Sequence, residues 1–140
     1  MTKNTGKPSQ DLFEDHFTLM GKAAHVHRIT DTAEVRGLNK TGFTKEQPSD
    51  FIVTENGVMY YAEVKSSSNP TSFPLSQIER GQRSAMIKQT AAGGLYFLFI
   101  HCLTKNIWFK VPAGVVLNAP KASLPWSSLN EYQWSIACKT

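Results

Sequence analysis

The sequence contains little cysteine and no long hydrophobic run, and these two absences narrow the classes of protein to consider. Its two cysteines, Cys102 and Cys138, lie far apart and have no CxxC spacing. The longest apolar stretch, GGLYFLFIHCL, is too short to span a bilayer, and no signal-peptide pattern is present. We therefore expect a cytoplasmic protein that has free thiols and does not bind membranes.

Internal repeats, low-complexity tracts and a strong charge bias are also absent. Fifteen Lys and Arg against eleven Asp and Glu give a formal net charge of +4. Such a mild excess indicates a polyanionic partner only where the basic residues cluster. At 140 residues the chain is long enough to bury one core, so we predict a single domain over residues 1–140.

The basic residues cluster in a polar, glycine-containing segment at about residues 22–47. Within it HVHRI alternates like a short strand, but a basic arm or a projecting hairpin fits the pattern equally well. A basic segment with few acids is suited to following a phosphate backbone. Its predicted DNA contacts are Lys22, Arg28, Arg36, Lys40 and Lys45.

Hydrophobic spacing predicts alternating helices and strands. SQDLFEDHFTLMGKA predicts a helix at about 10–24 with Ser9 as N-cap. PSDFIVTENGVMYYAEVKSS predicts a hairpin, with strands at about 50–54 and 58–65 and a tight turn at Asn56-Gly57. A helix in LSQIERGQRSAMIKQTAAGG and the strands LYFLFIHCL and NIWFKV follow. This order predicts an α/β domain in which helices flank a mixed β-sheet.

The hairpin should bring three chemically active side chains to one end of the sheet. Glu63 and Lys65 are two residues apart on one strand and therefore share a face. Asp50 begins the partner strand, which the turn folds back beside them. Two carboxylates suit Mg²⁺, and the carbonyl of Val64 is a further oxygen ligand. The alternative is a solvated ion pair at a strand end, which contributes little energy.

The residues around this triplet resemble a known nuclease family. PSDF…YYAEVK is similar to the PD-(D/E)XK nuclease signature, with Asp50, Glu63 and Lys65 in the three signature places. The following residues, from EVKSSS through TSFPL, a helix carrying Gln82, and Gly93-Gly94, resemble the RecU family of Holliday-junction resolvases. The resemblance covers roughly residues 48–100. The interval between the first helix and Asp50 looks shorter than the stalk of that family.

The resemblance implies a restriction-endonuclease-like core, a homodimer with two active sites, and nicking of four-way DNA junctions with Mg²⁺ or Mn²⁺. Asp50 and Glu63 become metal ligands and Lys65 the catalytic lysine. Glu14 becomes a fourth acidic residue near the metal. From the residues themselves, Gln82 could position Lys65 or the attacking water, and solvent exposure of this polar residue fits equally well. Further DNA contacts are predicted at Thr71, Ser72, Arg80 and Arg83, with a solvated helix face as the alternative for the two arginines.

Two other functions remain open from the sequence. The chain could be a nuclease for flap or duplex DNA with the same fold and the same catalytic residues. It could instead be a non-catalytic, junction-binding recombination accessory protein. The three hypotheses differ in cleavage and in substrate, and not in fold.

Overall fold

A computed structural model describes residues 6–29 and 47–137 of the chain. The α-helices in these residues are α1 (Lys7–Leu19), α2 (Arg80–Ala91) and α3 (Ala113–Leu117). The strands are β1 (Ala24–Arg28), β2 (Phe51–Glu55), β3 (Val58–Ser67), β4 (Ser72–Pro74), β5 (Tyr96–Cys102), β6 (Ile107–Pro112), β7 (Ser123–Pro125) and β8 (Gln133–Trp134). None of the helices in these two ranges is long and apolar enough to cross a membrane.

Six of the strands form one mixed sheet in the order β1-β2-β3-β5-β6-β8. β3 and β5 run parallel, with α2 in the connection between them, and the other neighbouring pairs are antiparallel. The remaining strands, β4 and β7, pair separately. This topology confirms the predicted mixed sheet flanked by helices.

The tight turn between β2 and β3 sets the register of the hairpin. Asn56 and Gly57 have φ angles of 52° and 77°, the positive values that a two-residue hairpin turn requires. Glu55 therefore pairs with Val58, and Phe51 pairs with Ala62 at the far end. The next residues along, Asp50 and Glu63, lie just beyond the last pair. The predicted turn is confirmed.

Each face of the sheet carries its own hydrophobic core. On one face α1 packs Phe13 and Phe17 against Phe51 and Phe99, all of them nearly inaccessible to solvent. The other face packs on α2 and α3, with Met86 fully buried. Each fully buried phenylalanine contributes roughly 1.5–3 kcal/mol of transfer free energy. β5 lies between the two cores, with Leu98 and Ile100 in one and Phe99 in the other. This position explains the unbroken apolar pattern of the strand.

The first helix starts and ends earlier than predicted. Gly6 is the N-cap and a proline stands in the first turn, where its missing N–H costs nothing. Ser9 is therefore not the N-cap but a buried residue inside the helix. The helix ends at Leu19, and Gly21 follows with a φ of 62°. The chain turns there and continues into β1, which contains HVHR. The strand interpretation of that segment is confirmed.

The second helix is also shorter than predicted. Leu75 belongs to a short 3-10 turn, and α2 begins only at Arg80. After β6 the chain forms short elements on the sheet edge. Trp108 and Trp126 are buried and pack in the two cores.

A buried polar chain ties α1 to β5. The hydroxyl of Ser9 lies 2.9 Å from Nδ1 of His101. Nε2 of the same ring lies 2.9 Å from Oδ1 of Asn106. Because that amide oxygen only accepts, Nε2 carries the hydrogen, and Nδ1 can then accept from the Ser9 hydroxyl. His101 also stacks on Trp108, with ring centroids 4.4 Å apart.

Replacing Ser9 with alanine should destabilise the fold by about 1–3 kcal/mol, because it leaves a buried imidazole nitrogen without a donor. Denaturant unfolding measures the change. The control is Thr18→Ala, which removes an exposed hydroxyl bonded only to the carbonyl of Glu14 in its own helix; it should change stability by less than about 0.5 kcal/mol. Equal stability of the two variants would contradict the role given to this chain.

Candidate active site

The hairpin brings Asp50, Glu63 and Lys65 together at the end of the sheet, as the sequence predicted. Oδ2 of Asp50 accepts a hydrogen bond of 2.9 Å from the backbone N–H of Val64. Nζ of Lys65 lies 3.6 Å from Oε2 of Glu63. The two carboxylates thus come from opposite strands, and the amine stands beside one of them.

Three hydrogen bonds hold the segment that carries Asp50. The Tyr96 hydroxyl donates to the carbonyl of Pro48 at 2.7 Å. The buried Ser49 hydroxyl donates to the carbonyl of Phe51 at 2.7 Å. The N–H of Ile29 donates to the carbonyl of Asp50 itself at 2.8 Å. Bonds to β2, to β5 and to the residue that follows β1 therefore fix the backbone from which the Asp50 side chain projects.

Glu63 is almost completely buried, with 1% of its surface exposed. Its Oε2 accepts a hydrogen bond of 2.6 Å from Nε2 of Gln82 and faces Lys65. Its Oε1 is buried and has no hydrogen-bond partner in the described part of the chain. A solvated ion pair would be exposed and fully hydrated, so that alternative for the triplet is wrong.

Gln82 connects the start of α2 to this carboxylate. Its Oε1 accepts a hydrogen bond of 2.9 Å from the N–H of Glu79, the N-cap residue. That bond fixes which end of the amide is oxygen, so Nε2 must point towards Glu63. The side chain predicted to position Lys65 or a water therefore holds the carboxylate that Lys65 faces.

The carboxyl pair has an unfavourable environment for two negative charges. Burial raises the pKa of Glu63 to about 8, with a further increase from the Asp50 charge, while Lys65 opposes both. Burial also raises the pKa of Asp50, and the Val64 N–H and the Lys65 charge oppose the increase. With a pKa near 8, Glu63 carries a proton at neutral pH when no cation is bound nearby.

Tyr96 is a site residue that the sequence analysis missed. It is buried at the start of β5, and burial together with the neighbouring charge of Glu63 raises the pKa of its phenol. Its hydroxyl joins the Asp50 segment to the strand beside Glu63. The only signal in the sequence was a phenol within an otherwise apolar strand, and that pattern fits ordinary packing equally well.

Glu14 is not brought into the carboxyl pair. Its Oε1 accepts from Nη1 of Arg28 at 3.1 Å, and the same nitrogen donates to Asp11 at 2.7 Å. Arg28 thus stands beside Glu14, and its charge also opposes the rise that burial causes in the pKa of Asp50. No group of three or more His, Cys, Asp or Glu arranged to hold a metal occurs in residues 6–29 and 47–137. The role of Glu14 near the metal stays a prediction.

The other predicted DNA contacts have mixed placements. Lys22, Arg80 and Arg83 are exposed, whereas Arg28 is engaged in the ion pairs just described. Thr71 is exposed and Ser72 half-buried, and both backbone amides donate to Oδ1 of Asn69. Four residues named in the sequence analysis lie outside the described part of the chain: Arg36, Lys40, Lys45 and Cys138.

The donor set fits one hard divalent cation. Oε1 of Glu63 is a buried carboxylate oxygen that lacks a partner within the described ranges. Val64 lies beyond the last residue of β3 that pairs with β2, and its N–H points to Asp50. Since the N–H and C=O of one strand residue point to the same side, its carbonyl faces Asp50 too. Mg²⁺ commonly uses one or two carboxylates and keeps several waters.

The raised pKa of Glu63 predicts a stability that falls with pH in metal-free protein. Its folded-state value of about 8 exceeds the model value of 4.5, so folding takes up a proton between these two pH values. Stability is therefore highest below the unfolded pKa and is lost as pH rises towards 8. In EDTA, the difference in unfolding free energy between Glu63→Gln and wild type should therefore shift in favour of the variant by about 2–4 kcal/mol from pH 5 to pH 9.

Thermal unfolding across this pH range measures the gain. Glu131 is exposed, so Glu131→Gln is the matched control and should show no such pH-dependent gain. A Glu63→Gln variant whose stability runs parallel to wild type at every pH would contradict the buried, protonated carboxyl.

Comparisons with known proteins identify the fold and the family. No curated protein matches the chain at a significant level. Among solved structures, the 1.6 Å structure of Archaeoglobus fulgidus Hjc, a Holliday junction resolvase from an archaeal hyperthermophile, matches with a TM-score of 0.58 and 11% identity. The match covers 95% of this chain and 93% of that one, and it supports the predicted fold class.

A family model described as RecU, Recombination protein U, matches residues 12–139. The match extends the resemblance seen around the triplet to almost the whole chain, including the helix that carries Glu14. The protein therefore belongs to the RecU family.

Proposed function

We propose that this protein is a metal-dependent endonuclease that acts in the cytoplasm and resolves four-way DNA junctions by paired nicks. The observation that carries the proposal is the buried carboxylate of Glu63, held beside Asp50 and Lys65. Membership of the RecU family and the fold likeness to a protein titled a Holliday junction resolvase support junction DNA as the substrate.

Asp50, Oε1 of Glu63 and the carbonyl of Val64 would hold Mg²⁺, and Mn²⁺ should substitute for it. The bound cation supplies a Lewis acid that lowers the pKa of a water and stabilises the leaving oxyanion. Removing the cation with EDTA should therefore abolish cleavage. DNA binding through the exposed basic residues should persist, because it depends on phosphate contacts.

Lys65 supplies positive charge where negative charge develops on the phosphate. Gln82 keeps the Glu63 carboxylate in one orientation, so that Oε2 faces Lys65 and Oε1 stays directed away from it. Water attacks phosphorus in line with the 3′-oxygen, the P–O3′ bond breaks, and a proton goes to the leaving oxygen. The products carry 5′-phosphate and 3′-hydroxyl ends.

A homodimer would place two such sites on opposing strands, since a four-way junction is itself nearly two-fold symmetric. Exposed apolar side chains near the β2–β3 turn are available for self-association. Met59 is 57% exposed and Leu95 is 42% exposed. The N–H of Tyr61 donates to the carbonyl of Leu95, which brings this end of β5 beside β3. A second copy packed there would bury both side chains.

Glu63→Ala should lower the rate of junction nicking by about 100-fold or more, the effect of losing some 3 kcal/mol of transition-state stabilisation. The assay uses a labelled four-way junction with Mg²⁺, beside flap and linear duplex DNA of the same sequence. Glu131→Ala is the control and should cut like wild type.

Three outcomes would contradict the proposal. Equal cleavage of flap or duplex DNA would favour the broader nuclease hypothesis. Tight junction binding without metal-stimulated cleavage would favour an accessory protein. Equal activity of Glu63→Ala and wild type would remove the active site from the place assigned to it.

Paired nicking predicts linear product from a supercoiled plasmid that extrudes a cruciform, because two sites cut within one encounter. Mixing wild type with an excess of Glu63→Ala should convert the product to nicked circles, since mixed dimers cut one strand. Gel separation of the plasmid forms reports the ratio. A wild-type enzyme that yields nicked circles at all protein concentrations would contradict the dimer.

A further inference from the structure

A polar pocket lies at the carboxyl ends of the two parallel strands, where β3 continues past Lys65. Its volume is about 510 Å³, within the roughly 300–1,000 Å³ typical of ligand pockets. In open α/β sheets, ligands bind in the crevice outside the carboxyl ends of the strands. The lining residues are Ser66, Ser67, Ser68, Asn69, Gln77 and Leu103.

The loop that forms one wall of the pocket is tied down by its own acceptors. Oδ1 of Asn69 accepts from the N–H and hydroxyl of Thr71 and from the N–H of Ser72, at 3.0–3.2 Å. The Asn69 carbonyl accepts from Nε1 of Trp126 at 2.8 Å. Oγ of Ser67 accepts from the N–H of Asn69 at 3.1 Å. The wall is therefore preformed.

The polar groups that remain for a ligand can all donate. Because its oxygen is already shared by three donors, the Asn69 side chain offers its amide nitrogen. The hydroxyl of Ser68 and the side-chain amide of Gln77 can also donate to a ligand. The lining contains neither a carboxylate nor a basic residue. Neutral donors without a competing acid suit the oxygens of a phosphodiester or a sugar.

The pocket begins where the catalytic strand ends. Ser66 follows Lys65 directly, and Ser67 shares the face of Glu63 and Lys65. Two strand residues span about 6.6 Å, and one DNA strand rises about 3.4 Å along the helix axis per nucleotide. A strand whose scissile phosphate lies at Lys65 can therefore present a phosphate one or two nucleotides away to this pocket.

We propose that this pocket is a subsite for one flanking phosphate of the cleaved DNA strand, with Ser68, Asn69 and Gln77 as hydrogen-bond donors. The proposal rests on the proposed function for the identity of the DNA. It adds a contact that fixes the position of the strand relative to Lys65. Since the donors are neutral, the subsite selects geometry and does not add to general attraction for DNA.

The test combines a protein variant with single neutral phosphates. Ser68→Ala/Gln77→Ala removes two donors that have no other partner among the described residues. The control is Ser135→Ala/Gln133→Ala; both residues are exposed and lie outside the pocket lining. Four-way junctions that each carry one methylphosphonate, within three nucleotides of the branch point, are titrated in EDTA by fluorescence anisotropy. Binding is thus measured without cleavage.

With wild type, one methylphosphonate position should weaken binding about 10-fold, as loss of hydrogen bonds to one charged oxygen would. The pocket variant should bind the unmodified junction about 10-fold more weakly. The same methylphosphonate should weaken junction binding by that variant less than twofold, while the control variant should behave like wild type.

The subsite would be overturned if every methylphosphonate weakened binding by the pocket variant as much as by wild type, or if the pocket variant bound the unmodified junction like wild type. The test measures binding alone. A negative result would therefore leave the proposed nicking of junctions by wild type untouched. A protein that binds junctions with this coupling but does not cut them would retain the subsite and lose the proposed nuclease activity.

Discussion

The burial of one carboxylate, that of Glu63, is the constraint on which the site depends. A buried acid is costly unless its charge is matched or its proton is kept. Here one oxygen faces an amide and an amine, while the other has no partner in the described part of the chain. Asp50 adds a second acid at the same place. The arrangement is unfavourable by itself, and a divalent cation shared between the two carboxylates, as proposed, would make it favourable.

The fold supplies this arrangement through a few backbone contacts. The hairpin turn sets the register that puts Asp50 beyond the last pair and next to the N–H of Val64. The parallel partner β5 presents Tyr96, which holds the Pro48 carbonyl. The crossover helix α2 carries Gln82 in its first turn, and this side chain reaches Glu63. Each of these elements contributes one fixed point, and the candidate catalytic side chains project from them.

Local chemistry explains which features were predictable from the sequence. The Asn56-Gly57 turn has a strong local preference, and once it is placed, strand alternation puts Asp50, Glu63 and Lys65 together. Features that depend on distant contacts could not be predicted in this way. Ser9 resembled an N-cap, but it is drawn into the core by His101, which is far away in sequence. The partnership of Gln82 with Glu63, and of Tyr96 with Pro48, likewise requires the three-dimensional fold. Local spacing also could not show that Arg28 engages Glu14.

Direct titration with Mn²⁺, followed by electron paramagnetic resonance, is the most direct test of the central claim that Glu63 and Asp50 form one cation site. Wild-type protein and the exposed-residue variant Glu131→Gln should bind the ion with equal affinity. Glu63→Gln and Asp50→Asn should each bind it at least about 10-fold more weakly. Equal affinities in all four proteins would show that the cation is held elsewhere and would contradict the account.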